Sequence, residues 1–310
     1  MLDFRNHRRG QRSIRRRLAS VLGALILAAA PAAFADSFTI IDYPGSSATS
    51  AFGINDLGDI VGRWDDADGN VHGFLLHKGR FTTIDVPGAV FTAAADINVF
   101  DHVVGRWVDA DGVPRGFLLK NGRYTSIDFP GAVDTRVRGI DDLGRITGNY
   151  TKEDGHEHGF LLDRSGFHGI DLPGSDSTDV WDINVLGRMV GDWSDTNDVV
   201  YGYILKNDVF TNTNFTGAID TSLRGINAQG EIVGLYDTAD GALHGVLITR
   251  SGMVSFDVPG GFDTSGFRIN AVGSVVGGYS DADGVTHGFL WTRHGPHGAE
   301  ASIGEGDSGE

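Results

Sequence analysis

The apolar residues of this chain fall in short runs of six or seven residues, each bounded by turn formers. One stretch shows the rhythm: TSAFGIN from Thr49, DIVGRW ending at Trp64, then VHGFLLH and RFTTID. The connectors NDLG, DDADGN and KG bring Asp, Asn and Gly to positions where a tight turn needs φ > 0. The connector DVPG places Pro and Gly as the central pair of a type II turn. Four short strands per unit are therefore predicted. Beyond residue 35 no segment sustains a 3.6-residue apolar period between caps, so almost no helix is expected.

The unit repeats. Pro-Gly recurs at Pro44, Pro87, Pro130, Pro173 and Pro259, with Thr216-Gly217 in the remaining copy, and every step is 43 residues without insertion or deletion. A period of 40–45 residues in a strand-rich chain is that of a β-propeller. The fold expected is all-β, a six-bladed β-propeller of four-stranded 43-residue repeats. FTIID at Phe38–Asp42 is a fourth strand lacking a blade, and GFLWTRHG from Gly288 is a third strand lacking a fourth. Pairing the two closes the ring and leaves no open edge.

The repeated text GINDLGDIVGRWDDADGNVHGFLL resembles the HAF family of probable extracellular repeats, with His-Gly-Phe in place of His-Ala-Phe. The resemblance spans all six copies. It implies an exported repeat protein and carries no activity with it.

The first 17 residues hold seven arginines and one acid, followed by LASVLGALILAAAPAAFA. A basic start, a short apolar run and Ala33-Phe34-Ala35 read as a signal peptide over 1–35, with Arg15-Arg16 leaving twin-arginine export open. The expected location is secreted or periplasmic. Residues 36–293 form the propeller, and 294–310, polar and Gly-rich, read as a disordered acidic tail. The whole chain has a formal charge of −16, and removing 1–35 takes it to −22. That disfavours nucleic acid and anionic membrane as partners. With no cysteines, stability must come from burial. A monomer is expected.

Comparison of the six copies separates scaffold from variation. Ile54 and Thr49 are identical in every copy, and the Asp before each Pro-Gly reads as a turn-capping side chain. His72, His158, His244 and His287 lie on different blades, too far apart for one ion, and read as cross-strand partners of Trp64, Tyr150, Tyr236 and Tyr279. The DADG turns resemble fragments of calcium loops but lack the further acids; an Asp-Gly hairpin needs no metal, and calcium there stays open. No metal or cofactor is expected.

Variation concentrates in the first strand, at Phe52, Ala95, Arg138, Trp181, Arg224 and Phe267 and at the next position, Gly53, Asp96, Gly139, Asp182, Gly225 and Arg268. Two positions before Phe52, Arg136 and Asp179 interrupt a run of Ser and Ala. First strands of propellers line the central channel. Arg136, Arg138, Asp179, Trp181, Asp182 and Arg224 are therefore the candidate ligand-binding set, expected at one axial opening. Arginine forks suit carboxylates, and a tryptophan face suits a sugar ring. Drift at solvent-facing positions would produce the same variation. The function expected is a non-catalytic binding or structural module for glycans or other extracellular ligands. The alternative is a carbohydrate-active hydrolase or lyase using Asp96 and Asp182 at the axis.

Overall fold

The computed structural model describes residues 36–293. The export signal expected at 1–35 and the tail expected at 294–310 lie outside the described residues. All 24 elements of the described span are β-strands. After β1 (Ser37–Ile41), blade 1 runs through β2 (Ala48–Ile54), β3 (Ile60–Asp65), β4 (Val71–His77) and β5 (Arg80–Ile84). The same order recurs in blades 2 to 5, over 91–127 (β6–β9), 134–170 (β10–β13), 177–212 (β14–β17) and 221–256 (β18–β21). Blade 6 holds β22 (Phe262–Ile269), β23 (Val275–Ser280) and β24 (Thr286–Thr292). Each blade is an antiparallel meander, and β1 completes the sixth by pairing with β24 from Ser37–Thr292 to Ile41–Gly288. The architecture is a β-propeller with a closed ring.

The core lies between blades. Third-strand residues Phe74, Phe117, Phe160, Tyr203, Val246 and Phe289 are completely or almost completely buried. Phe74 packs with Ala51 and Ile54 of its own blade and Val276 of the sixth. A second-strand glycine makes room for the ring: a Cβ on Gly62 would lie 2.0 Å from the Ser50 carbonyl oxygen and 2.8 Å from Phe74. Such burial stabilises by roughly 1.5–3 kcal/mol per large side chain.

The invariant threonines bind the inter-blade turns. In all six copies Oγ1 accepts the backbone N–H of the residue before Pro or its equivalent, from Tyr43 to Thr49 at 3.0 Å through Val258 to Thr264 at 3.1 Å. The turns have the expected type II form: Ser46 N donates to Tyr43 O, and Gly45 has φ +83°.

The aspartates before Pro-Gly act differently from the capping role expected of them. Asp42, Asp85, Asp171 and Asp257 pair with Nδ1 of His287, His72, His158 and His244 at 2.9–3.0 Å. Asp128 instead lies 3.6 Å from Arg115. Each of those histidines stands in register with, and stacks on, the aromatic residue of its second strand, Trp64, Tyr150, Tyr236 or Tyr279. The histidines are scaffold, clamped between a ring and a carboxylate.

A belt of side-chain amides runs around one face. Nδ2 of Asn55 donates to the Asn98 carbonyl, Asn98 to Asp141, Asn184 to Asn227, Asn227 to Asn270, and Asn270 back to Asn55. Blade 3 carries Asp141, which has no amide to donate. There Arg145, held by the Asp141 carboxylate at 2.5 Å, donates to the Asn184 carbonyl at 2.9 Å.

Candidate functional site

Every first strand contains one extra residue. In blade 1, Ala51 pairs with Gly62 and Gly53 with Val61, which leaves Phe52 without a partner. The same slip frees Ala95, Arg138, Trp181, Arg224 and Phe267. A β-bulge bends its strand and re-aims the extra side chain. All six bulged residues line one cavity of about 300 Å³ around the axis. Second strands add Arg63 and Arg106 to its wall, and Ala93, Val137 and Arg268 complete it.

The residue after each bulge forms the floor. Only Asp96, Asp182 and Arg268 carry side chains there, because alternate blades have glycine. A Cβ on Gly53 would lie 2.7 Å from the Asp96 Cα, and one on Gly225 would lie 2.9 Å from the Arg268 Cα. The axis therefore holds three side chains, not six. Arg268 Nε is 3.3 Å from Asp96 and 3.7 Å from Asp182. Its terminal nitrogens donate to the carbonyls of Arg138 at 2.6 Å, Trp181 at 2.9 Å, Phe267 at 3.0 Å, and Arg224. Asp96 accepts the Ile140 N–H, and Asp182 accepts those of Ile183 and Ile226. Burial pushes the Asp182 carboxyl up to about 7, while Arg268 and the two backbone donors pull the other way. This plug closes the cavity and separates it from a smaller opening on the far side.

One wall is cationic. Arg138 lies 4.0 Å and Arg224 3.6 Å from the Trp181 ring centre. Trp181 Nε1 donates to Asp192 at 2.8 Å, and Ser222 also donates to that carboxylate. Nε of Arg138 donates to Asn149 at 3.2 Å, and Nε of Arg224 to Ser222 at 2.6 Å. Arg106 lies over Phe91 at 4.8 Å. Burial, then repulsion from Arg138, Arg136 and Arg63, pushes Arg106 down to about 10. Burial also pushes Arg224 down to about 10, against the pull of Asp192. Across the cavity Phe52 and Phe267 meet edge to face at 5.2 Å, and Ala95 of blade 2 adds to the apolar lining.

The sequence-predicted set divides. Arg138, Trp181 and Arg224 line the cavity. Arg136 does not, because two carboxylates, Asp134 at 2.8 Å and Glu157 at 2.6 Å, hold it elsewhere. Asp179 does not line it either; burial and then Asp192 push its carboxyl up to about 7. Asp182 follows the bulge and so belongs to the floor. The expected tryptophan face is covered by the two arginines. Arg63 and Arg106 were missed; comparing the copies along the second strand, where Arg63, Arg106, Asn149, Asp192, Leu235 and Gly278 correspond, carries the signal that finds them. For the hydrolase alternative, Asp96 and Asp182 are 4% and 5% exposed and are both engaged by Arg268 and backbone N–H groups.

The DxDG turns close on themselves. Asp66 accepts from the backbone of Asp68 and from both the side chain and the backbone of Asn70; those bonds, the Asn70 pair foremost, hold its carboxyl at about 2. His156, Glu157 and His158 turn to Asp176, Arg136 and Asp171 respectively. Among the described residues no group of three His, Asp or Glu side chains is placed to hold a metal ion.

A closed ring of four-stranded blades around a capped axis defines a β-propeller. No family model and no curated protein matches the chain. Solved structures do. SapL1 lectin in complex with α-methyl fucoside is 13% identical with a TM-score of 0.55, over 80% of this chain and 94% of that one. A mutant of AofleA from Arthrobotrys oligospora is 13% identical at 0.52, over 83% and 86%. A mutant of the Aleuria aurantia lectin in complex with Fucα1-6GlcNAc is 9% identical at 0.52, over 85% and 100%. At such identities the likeness establishes the propeller fold.

Proposed function

We propose that this protein is an exported, monomeric, non-catalytic carbohydrate-binding propeller, a His-Gly-Phe variant of the HAF repeats, whose ligand enters the axial cavity. One observation carries the reading. The scaffold is uniform around the ring, while the one bulged position per blade is varied and converges on a cavity lined by aromatic rings and arginines. Few, well-placed polar groups beside apolar walls are the usual composition of a small-molecule site. The lectin complexes among the structural neighbours support the sugar assignment.

A glycan array, run beside a depolymerisation assay on the same polysaccharides, tests it. Binding without product is expected. Trp181→Ala and Arg138→Ala should each abolish binding while the ring still melts cooperatively. Trp64→Ala, which removes a stacking partner of Tyr43 and His72, should lower the melting temperature and leave binding intact. Equal binding by all three variants would assign the first-strand variation to drift.

A further inference from the structure

We infer that the axial cavity recognises a carboxylate, and that its ligand is a terminal acidic sugar residue of the uronate class; the sugar half of this inference rests on the function proposed above. The first ground is a local excess of cation on an acidic chain. Arg115, Arg136, Arg145, Arg268 and Arg293, and the cavity-lining Arg63 at the limit, each lie within 4.0 Å of a carboxylate. Among the described residues no carboxylate comes that close to the guanidinium of Arg106, Arg138 or Arg224, although all three line the cavity.

The second ground is unspent hydrogen-bonding capacity. Arg138 and Arg224 each use Nε within the protein, and their terminal nitrogens have no partner among the described residues. The Arg106 guanidinium has no hydrogen bond among the described residues and lies over the ring of Phe91. A guanidinium offers five donors in a planar fork that matches a carboxylate. Partial burial of these groups raises the cost of leaving them without an anion.

The remaining features select a sugar and its position in a chain. On the side away from Arg138 and Arg224, Phe52 and Phe267 present an apolar surface to a ring face. The volume, about 300 Å³, is at the small end of ligand sites and suits one or two sugar rings. Arg268 blocks the axis, so a polymer cannot thread through; only a chain end can enter.

Calorimetry on the purified protein tests this with methyl glucuronide, its neutral counterpart methyl glucoside, benzoate and an oligosaccharide bearing uronate only at internal positions. Methyl glucuronide should bind at least about tenfold more tightly than the glucoside, the order expected of charge-assisted bonds to a carboxylate. Arg106→Gln should remove that preference, Arg106→Lys should keep part of it, and both melting temperatures should show a folded ring. The internal uronate should not bind. Equal affinity for glucuronide and glucoside overturns carboxylate recognition and leaves the carbohydrate reading standing. Benzoate binding as tightly as glucuronide keeps the carboxylate and overturns the sugar. Tight binding of the internal uronate overturns the chain-end assignment, and no binding by any probe overturns the whole inference.

Discussion

The Asp179 carboxyl lies near Asp192, with Oδ1 buried and unpartnered, and burial and then Asp192 push it up to about 7 from the ~3.9 of an unfolded chain. A raised carboxyl pKa means that the folded state holds the proton after the unfolded state has released it. Stability from this group is complete below about pH 4, falls as pH rises through the interval to about 7, and is level above that. Calorimetric melting temperatures should therefore decline as pH rises from about 4 to about 7. His72 and His287 act in the same sense: burial opposes their charge, but flanking carboxylates outweigh it and raise both pKa values. Asp179→Asn leaves those histidines in place, so the comparison separates the Asp179–Asp192 pair from them. The variant should gain stability chiefly at pH 8 and flatten the profile. A variant profile parallel to the parent's would place the effect elsewhere.

At the scale of the strand and its turn, the amide belt makes a sharper test. Arg145→Ala removes the donor to the Asn184 carbonyl and leaves the buried Asp141 carboxylate without its cation. Loss of about 2 kcal/mol is expected, the range for bonds to charged groups. Adding Asp141→Asn supplies the amide that the other five blades use, and chemical denaturation of the double variant should show most of that loss restored. No recovery would mean that the belt bond between blades 3 and 4 contributes little. This belt also shows where sequence reading stopped. The period, the strand order, the turn type and the threonines were legible because they are local and repeat within one unit. Asn55 looks like a turn former, and its Nδ2 partner lies 43 residues away on another blade. The aspartates before Pro-Gly read as caps for the same reason, their histidines lying 13 residues off across a hairpin in blades 1, 3 and 5. The bulge was illegible too: an extra residue in a seven-residue run leaves no mark until the facing strand is known. Hence the axial placement of Arg138, Trp181 and Arg224 could be anticipated, while the diversion of Arg136 into an ion pair could not.

For the molecule as a whole, closure depends on β1. Removing residues 36–43 takes away the strand on β24, the stack of Phe38 on Trp291 and the Asp42 partner of His287. The melting temperature should fall by about 10 °C or more, several kcal/mol at ~2–4 °C each for a chain of this size. The bared edge should make the protein associate as concentration rises, which sedimentation would detect. An unchanged melting temperature would contradict the closed ring. The floor of the cavity bears on how such a ring could be engineered. Six identical copies of blade 1 would bring glycine to the axis everywhere and leave it hollow. Six of blade 2 would crowd six carboxylates into a space where a single added Cβ already meets a backbone atom at 2.7 Å. The smallest module that can be copied is a pair of unlike blades. Even three such pairs would gather three aspartates without a cation, so one pair must break the pattern as the last one does with Arg268, and a ring that fills its axis by copying one pair three times is opposed by charge at a single point.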